Sequence, residues 1–174
     1  MRYSLGWSRP VMGCWLMWLC WVFVVEGAHA TERPGQVSKR TVLAGYFPAR
    51  ISFQLKHAMK LAAQKLIQES SCRAIFSPLT SNPMQALELT SYHLAGVGQE
   101  TQACQAQGVV AYTTVGGHRT HLCPPLFEQL NTQQAAVVLI HEALHRAGLN
   151  EWPPDPNGLT SAEINLMVQR SCNL

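Results

Sequence analysis

The stretch Asn131-Thr-Gln-Gln-Ala-Ala-Val-Val-Leu-Ile-His141-Glu142-Ala-Leu-His145-Arg-Ala-Gly148 decides how the chain is read. Asn131 is a good N-cap and Gln134 stands at the reciprocal capping position, so a helix starts there. From Thr132 to Ala147 nothing breaks the helical register, and Gly148 is suited to the left-handed residue that ends a helix. This helix is the most apolar stretch beyond residue 30, yet it carries two histidines and a glutamate. Placing those polar groups on an apolar helix costs several kcal/mol unless they have partners.

His141 and His145 are four residues apart, so their Cβ atoms lie about 5–6 Å apart on one face and both imidazoles can reach one ion. Glu142 is turned about 100° from His141, out of the same coordination site but within reach of a water on the metal. A zinc ion lowers the pKa of such a water to about 7, and Glu142 is placed to take its proton and return it to a leaving amine. The pattern predicts Zn2+ as cofactor, His141 and His145 as metal ligands and Glu142 as the catalytic base.

On these residues the chain resembles the zincin metallopeptidases. His141 to Gly148 reads HEALHRAG, similar to the HExxHxxG core of metzincins, and Leu122-Cys123-Pro124-Pro125-Leu126-Phe127 looks like the approach to the HExxH helix in deuterolysin-like aspzincins. The resemblance implies a zincin-like fold, one catalytic zinc and hydrolysis of peptide bonds. Six residues after His145, where metzincins carry His or Asp, stands Glu151, and the Gly-Thr-x-x-Asp signature of aspzincins is missing. No histidine follows His145, so the third ligand is sought among the downstream carboxylates Glu151, Glu163 and Asp155, with a residue upstream as the remaining alternative. Glu151 has the metzincin spacing just beyond the Gly148 turn and is the first choice. Glu163 has the gluzincin style of spacing but also completes a capping box with Thr160, and Asp155 lies among prolines as a turn residue does.

Upstream, Val109 to Val115 is rich in β-branched residues, Gly116-Gly117 reads as a two-residue turn, and His118 to Cys123 returns, so a hairpin is expected. Tyr112, His118 and His121 on it are candidate oxyanion donors or solvated residues. Ile51, Leu55, Met59, Ala62 and Leu66 recur at helical spacing to about Ser70, with His57 off that stripe. Ser77 to Pro83 reads as a loop, Met84 to Leu94 as a weaker helix, and Ser161 to Ser171, with Met167 at a core spacing, as the last helix. Arg146 reads as a partner for a carboxylate or a substrate terminus, or as a solvated helix-end cation, and His93 suggests no role. The predicted class is α+β: a small antiparallel sheet with packed helices.

The first thirty residues predict a cleaved signal peptide: Arg2 and Arg9, an apolar run from Val11 to Val25, then Ala28-His29-Ala30. That run is shorter than the roughly 20 residues of a comfortable membrane span, an uncleaved anchor being the alternative. Residues 31–50 read as a flexible lead and 51–174 as the working domain. The protein is therefore expected to be exported, to the periplasm or outside the cell. Cys72, Cys104, Cys123 and Cys172 remain in the exported part, and an even count without any Cys-x-x-Cys pair favours two disulfides over a four-thiolate zinc site. Thirteen Lys plus Arg face ten Asp plus Glu, with no basic cluster, which argues against nucleic acid as a partner. No later stretch is apolar for long enough to insert stably in a membrane. A peptide or protein is the expected substrate; the alternatives are a catalytically silent zinc-binding or interaction module, and an amidase acting on a non-protein amide.

Overall fold

Two helices packed along each other make the centre of the core. The computed structural model describes residues 47–95, 99–106 and 108–174; the expected signal peptide and the lead as far as residue 46 lie outside the described residues. Helix α1 spans Ala49–Gln68, beginning two residues inside the expected lead, and buries Ile51, Leu55, Ala58, Met59, Ala62 and Leu66. Opposite them, helix α6 (Thr132–Arg146) buries Ala135, Ala136, Leu139, Ile140, Ala143 and Leu144. Small alanines alternate with branched residues on both faces, which lets two helices approach closely and interdigitate. Fully burying each of the larger side chains contributes about 1.5–3 kcal/mol. His57 is exposed and stacks on Phe53, as its place off the stripe predicts.

The short helices α2 (Ser70–Ala74) and α3 (Pro83–Glu88) continue from α1. Asn82 caps α3 by accepting the Gln85 backbone N–H. The helix expected over Met84 to Leu94 ends early: α3 stops at Glu88, and Ser91–Leu94 is strand β1. Helical and extended readings of such a short apolar run are not separable by periodicity. A neighbouring strand decides it, because β1 pairs in parallel with β3 (Arg119–Leu122), Tyr92 opposite Thr120 and Leu94 opposite Leu122. Helix α4 (Gln99–Gln105) then leads to β2 (Ala111–Thr113), which runs antiparallel to β3.

The sheet order is β1-β3-β2, and with β1 parallel and β2 antiparallel to β3 the sheet is mixed rather than antiparallel as expected. The hairpin exists, but its connection is longer than the two glycines suggest. Thr113 pairs with Thr120, leaving residues 114–119 between them. Gly116 adopts φ +73° and donates its N–H to the His145 carbonyl at 2.9 Å. Within the loop the Gly117 N–H closes a turn on the Thr114 carbonyl at 2.7 Å, so a local turn and the contact with α6 both hold it.

A one-turn helix, α5 (Pro124–Phe127), occupies the segment where two prolines end the strand. Beyond α6, two-residue strands β4 (Glu151–Trp152) and β5 (Leu159–Thr160) pair in parallel around a loop, and α7 (Ser161–Cys172) packs on α6. Both long C-terminal helices start in full capping boxes, Asn131 with Gln134 and Thr160 with Glu163, as the sequence predicts. The four cysteines form two disulfides: Cys72–Cys172 fastens α2 to the end of α7, and Cys104–Cys123 fastens α4 to the end of β3. Two such bonds fit an oxidising, exported environment. Among the described residues no helix is long and apolar enough to cross a membrane. The fold is α+β, with helices packed on a small mixed sheet.

Candidate metal centre

His141, Glu142 and His145 are all buried, on the last turns of α6. The helix ends in a Schellman arrangement. Gly148, at φ +108°, donates to the His145 carbonyl at 3.0 Å, and Leu149 donates to Leu144 at 2.9 Å. A side chain at Gly148 would strain that left-handed backbone. The reversal has two consequences. It sets the Leu149 carbonyl 2.8 Å from His145 Nδ1, and two residues later it returns Glu151 to the histidines.

Glu151 Oε2 lies 3.0 Å from His145 Nε2 and 3.8 Å from His141 Nε2, and the two Nε2 atoms are 2.8 Å apart. The three side chains form a group that could hold a metal ion. The other ring nitrogens explain why the Nε2 atoms point inward. His145 Nδ1 faces a main-chain carbonyl, which can only accept, so Nδ1 carries the proton and Nε2 presents a lone pair. His141 Nδ1 likewise meets Asn165 Oδ1 from α7 at 2.8 Å. Two lone pairs and a carboxylate oxygen then crowd one point. Such a contact is repulsive unless a cation, proton or metal, lies among them.

The charges agree with this picture. The neighbouring His141 imidazole holds the Glu151 carboxyl below its ordinary value against partial burial, and the charge of His145, the nearer imidazole at 3.0 Å, adds to the effect. Burial alone would lower His141, but the nearby Glu151 carboxylate, the charge of Glu142 and the bond to Asn165 outweigh it and raise the imidazole. Burial pushes the Glu142 carboxyl up, opposed by His141, by a hydrogen bond to Thr113 and by His145. When Glu142 is ionised, Thr113 donates to it and accepts from Thr120, whose hydroxyl is 2.6 Å away. Glu142 Oε2 is buried without a hydrogen-bond partner among the described residues.

The group opens on a cleft of about 580 Å³ lined by residues 108–115, Val138, Pro153, Pro154, Ser161 and Asn165 together with His141, Glu142, His145 and Glu151. Of the three carboxylates weighed as third ligand, the structure brings only Glu151 to the histidines. Glu163 is exposed, and its Oε2 accepts the backbone N–H and the hydroxyl of Thr160. Asp155 accepts from the Asn150 side chain at 2.7 Å and the Asn157 backbone at 2.9 Å, as a turn residue does.

Tyr112 lines the cleft and stacks on His121, which belongs with His93 to a row across the sheet and does not line the cleft. The His118 side chain is exposed. Arg146 lies near Tyr92, and its Nη1 is buried without a hydrogen-bond partner among the described residues. Met167 packs against the core. Asn165 and Thr113, which hold the ends of the site, carried no sequence signal. A helical Asn and a strand Thr are ordinarily solvated, and their partners lie 24 and 29 residues away. Compared with protein-family models, with curated proteins and with solved structures, the chain finds no match.

Proposed function

We propose that this protein is an exported zinc-dependent peptidase of zincin type, with His141, His145 and Glu151 as ligands and Glu142 as the base. One observation carries the reading: two imidazole Nε2 lone pairs and a carboxylate oxygen converge within 2.8–3.8 Å, each imidazole being held by an acceptor at Nδ1. Ligands about 2.0–2.1 Å from a tetrahedral zinc are about 3.3 Å apart, and the observed separations straddle that value. Two nitrogens and one oxygen from the protein, facing a cleft, form the ligand set of a catalytic rather than a structural zinc site. A zinc ion held here would supply Lewis acidity, polarising a carbonyl and lowering the pKa of water to about 7.

The chain's own residues account for the remaining chemistry. Glu142 has one oxygen steadied by Thr113 and the other without a hydrogen-bond partner among the described residues, so Oε2 is available to accept a proton and pass it to a departing amine nitrogen. Strand β2 is at the sheet edge and lines the cleft, so an extended peptide can dock along it as an added strand. Val109, Val110, Val115, Val138, Pro153 and Pro154 make much of the wall apolar, which suits uncharged, apolar peptide side chains.

The test is Glu142→Gln, assayed for zinc content and for cleavage of a broad peptide library. The variant should keep its zinc and lose at least a hundredfold in turnover, whereas His145→Ala should lose both. Full activity in Glu142→Gln would overturn the proposed base. Zinc uptake by the wild type without cleavage of any peptide would point instead to a silent binding module, or to an amidase if small non-peptide amides were cleaved.

A further inference from the structure

Glu151 sits on a two-residue strand in an exposed part of the chain, yet a metal donor must be held to within about 0.2 Å. The loop after it supplies the restraint. Asp155 donates its N–H to the Glu151 carbonyl at 3.0 Å, and its own carbonyl accepts from Gly158 at 3.0 Å. Its carboxylate takes the Asn150 side chain on one oxygen and the Asn157 backbone on the other. Residues 150–158 are thus tied to a central aspartate, and the tied loop brings Gly158 against the backbone of β4. A Cβ at Gly158 would lie 2.7 Å from the Glu151 carbonyl carbon, 2.9 Å from the Trp152 nitrogen and 3.0 Å from the Glu151 Cα. All three are main-chain atoms, which cannot swing aside as a side-chain tip can.

We infer that Gly158, which contributes no donor atom, is a positioning residue for the third ligand: the space it leaves empty fixes where the Glu151 carboxylate meets the two histidines. This rests on the reading that the three residues hold a divalent ion. An added methyl needs about 0.7 Å of relief to reach an ordinary contact of 3.4 Å from its nearest neighbour. That exceeds the tolerance of a metal–oxygen bond, and the displaced atoms belong to Glu151 itself.

The experiment measures zinc affinity by competition with a chromophoric chelator for the full chain and its variants, with the metal-free thermal melt as a folding control. Gly158→Ala should weaken zinc by about ten- to a hundredfold, the range for residues that orient ligands, while Pro156→Ala in the same loop should leave affinity unchanged. Once Glu151 is replaced by Ala, adding Gly158→Ala should weaken binding no further. That non-additivity separates positioning of the carboxylate from general distortion. The inference is overturned if Gly158→Ala binds zinc as tightly as the wild type, or if it costs the same factor with and without the Glu151 carboxylate. Should Gly158→Ala fail to fold, Asp155→Ala loosens the same loop without adding bulk, and it must weaken zinc only while Glu151 is present. A wild type that takes up no zinc overturns the metal reading and this inference with it, whereas tight binding by both wild type and Gly158→Ala overturns this inference alone.

Discussion

Replacing Asn165 with alanine tests the proposed metal centre at the imidazole support that a side chain supplies. Two acceptors aim the imidazoles. The Leu149 carbonyl that holds His145 belongs to the main chain and survives any substitution, but the acceptor on His141 Nδ1 is the Asn165 side chain, at 2.8 Å. Losing a half-buried neutral hydrogen bond costs about 0.5–1.5 kcal/mol, and removal of an outer partner of a metal-bound His costs about 10–100-fold in affinity. With the His145 support intact, the loss should fall at the lower end, about tenfold or 1.4 kcal/mol. At zinc equal to about 100 times the wild-type Kd, a bound ion would stabilise the fold by about 2.7 kcal/mol, and a tenfold weaker site would retain about 1.4 kcal/mol. Chelator competition reads the affinity directly, and denaturant unfolding with and without zinc reads the linked stability. Asn165→Asp, which keeps an acceptor in place, should bind zinc at least as well as the wild type. Affinity within twofold of wild type in Asn165→Ala would refute the reasoning. So would an equal loss in both variants, since that would trace the effect to packing of α7.

Two further expectations concern the frame around the site. Cys72–Cys172 closes a separation of 100 residues and ties down the helix that carries Asn165; the double Cys72→Ala/Cys172→Ala variant should lose about 4–5 kcal/mol, read by urea unfolding, and a loss under 1 kcal/mol would contradict that role. The Tyr92 phenol is fully buried, and burial first, then the charge of Glu142, push it well above its ordinary value against the pull of Arg146. Above about pH 10 the unfolded chain has released a proton that the folded chain keeps, so stability should fall with rising pH by up to about 1.4 kcal/mol per unit. Comparing unfolding of the wild type and Tyr92→Phe at pH 8 and pH 11 isolates the effect, and equal alkaline losses in the two would disprove it.

Local sequence determined the helix at the heart of the protein. The Asn131–Gln134 box, the uninterrupted run to Ala147 and the glycine at 148 are signals between residues within a few positions of one another, and the four-residue spacing of His141 and His145 follows from helical geometry. The α1 stripe and the Thr160–Glu163 cap are of the same kind. Tertiary structure decided the rest, because those choices depend on partners far along the chain. Ser91–Leu94 is extended because β3 lies beside it, which makes the sheet mixed, and the connection before β3 is held to α6 by the Gly116 bond to the His145 carbonyl. Sequence put three downstream carboxylates forward as the third donor and left a residue upstream open. The chain reverses at Gly148 and one of them, Glu151, meets the histidines, while Asp155 and Glu163 are occupied by their own neighbours. Asn165 and Thr113 gain their importance only when α7 and β2 pack against α6, since the direction of a lone pair or a proton is set by whatever atom faces it across the core.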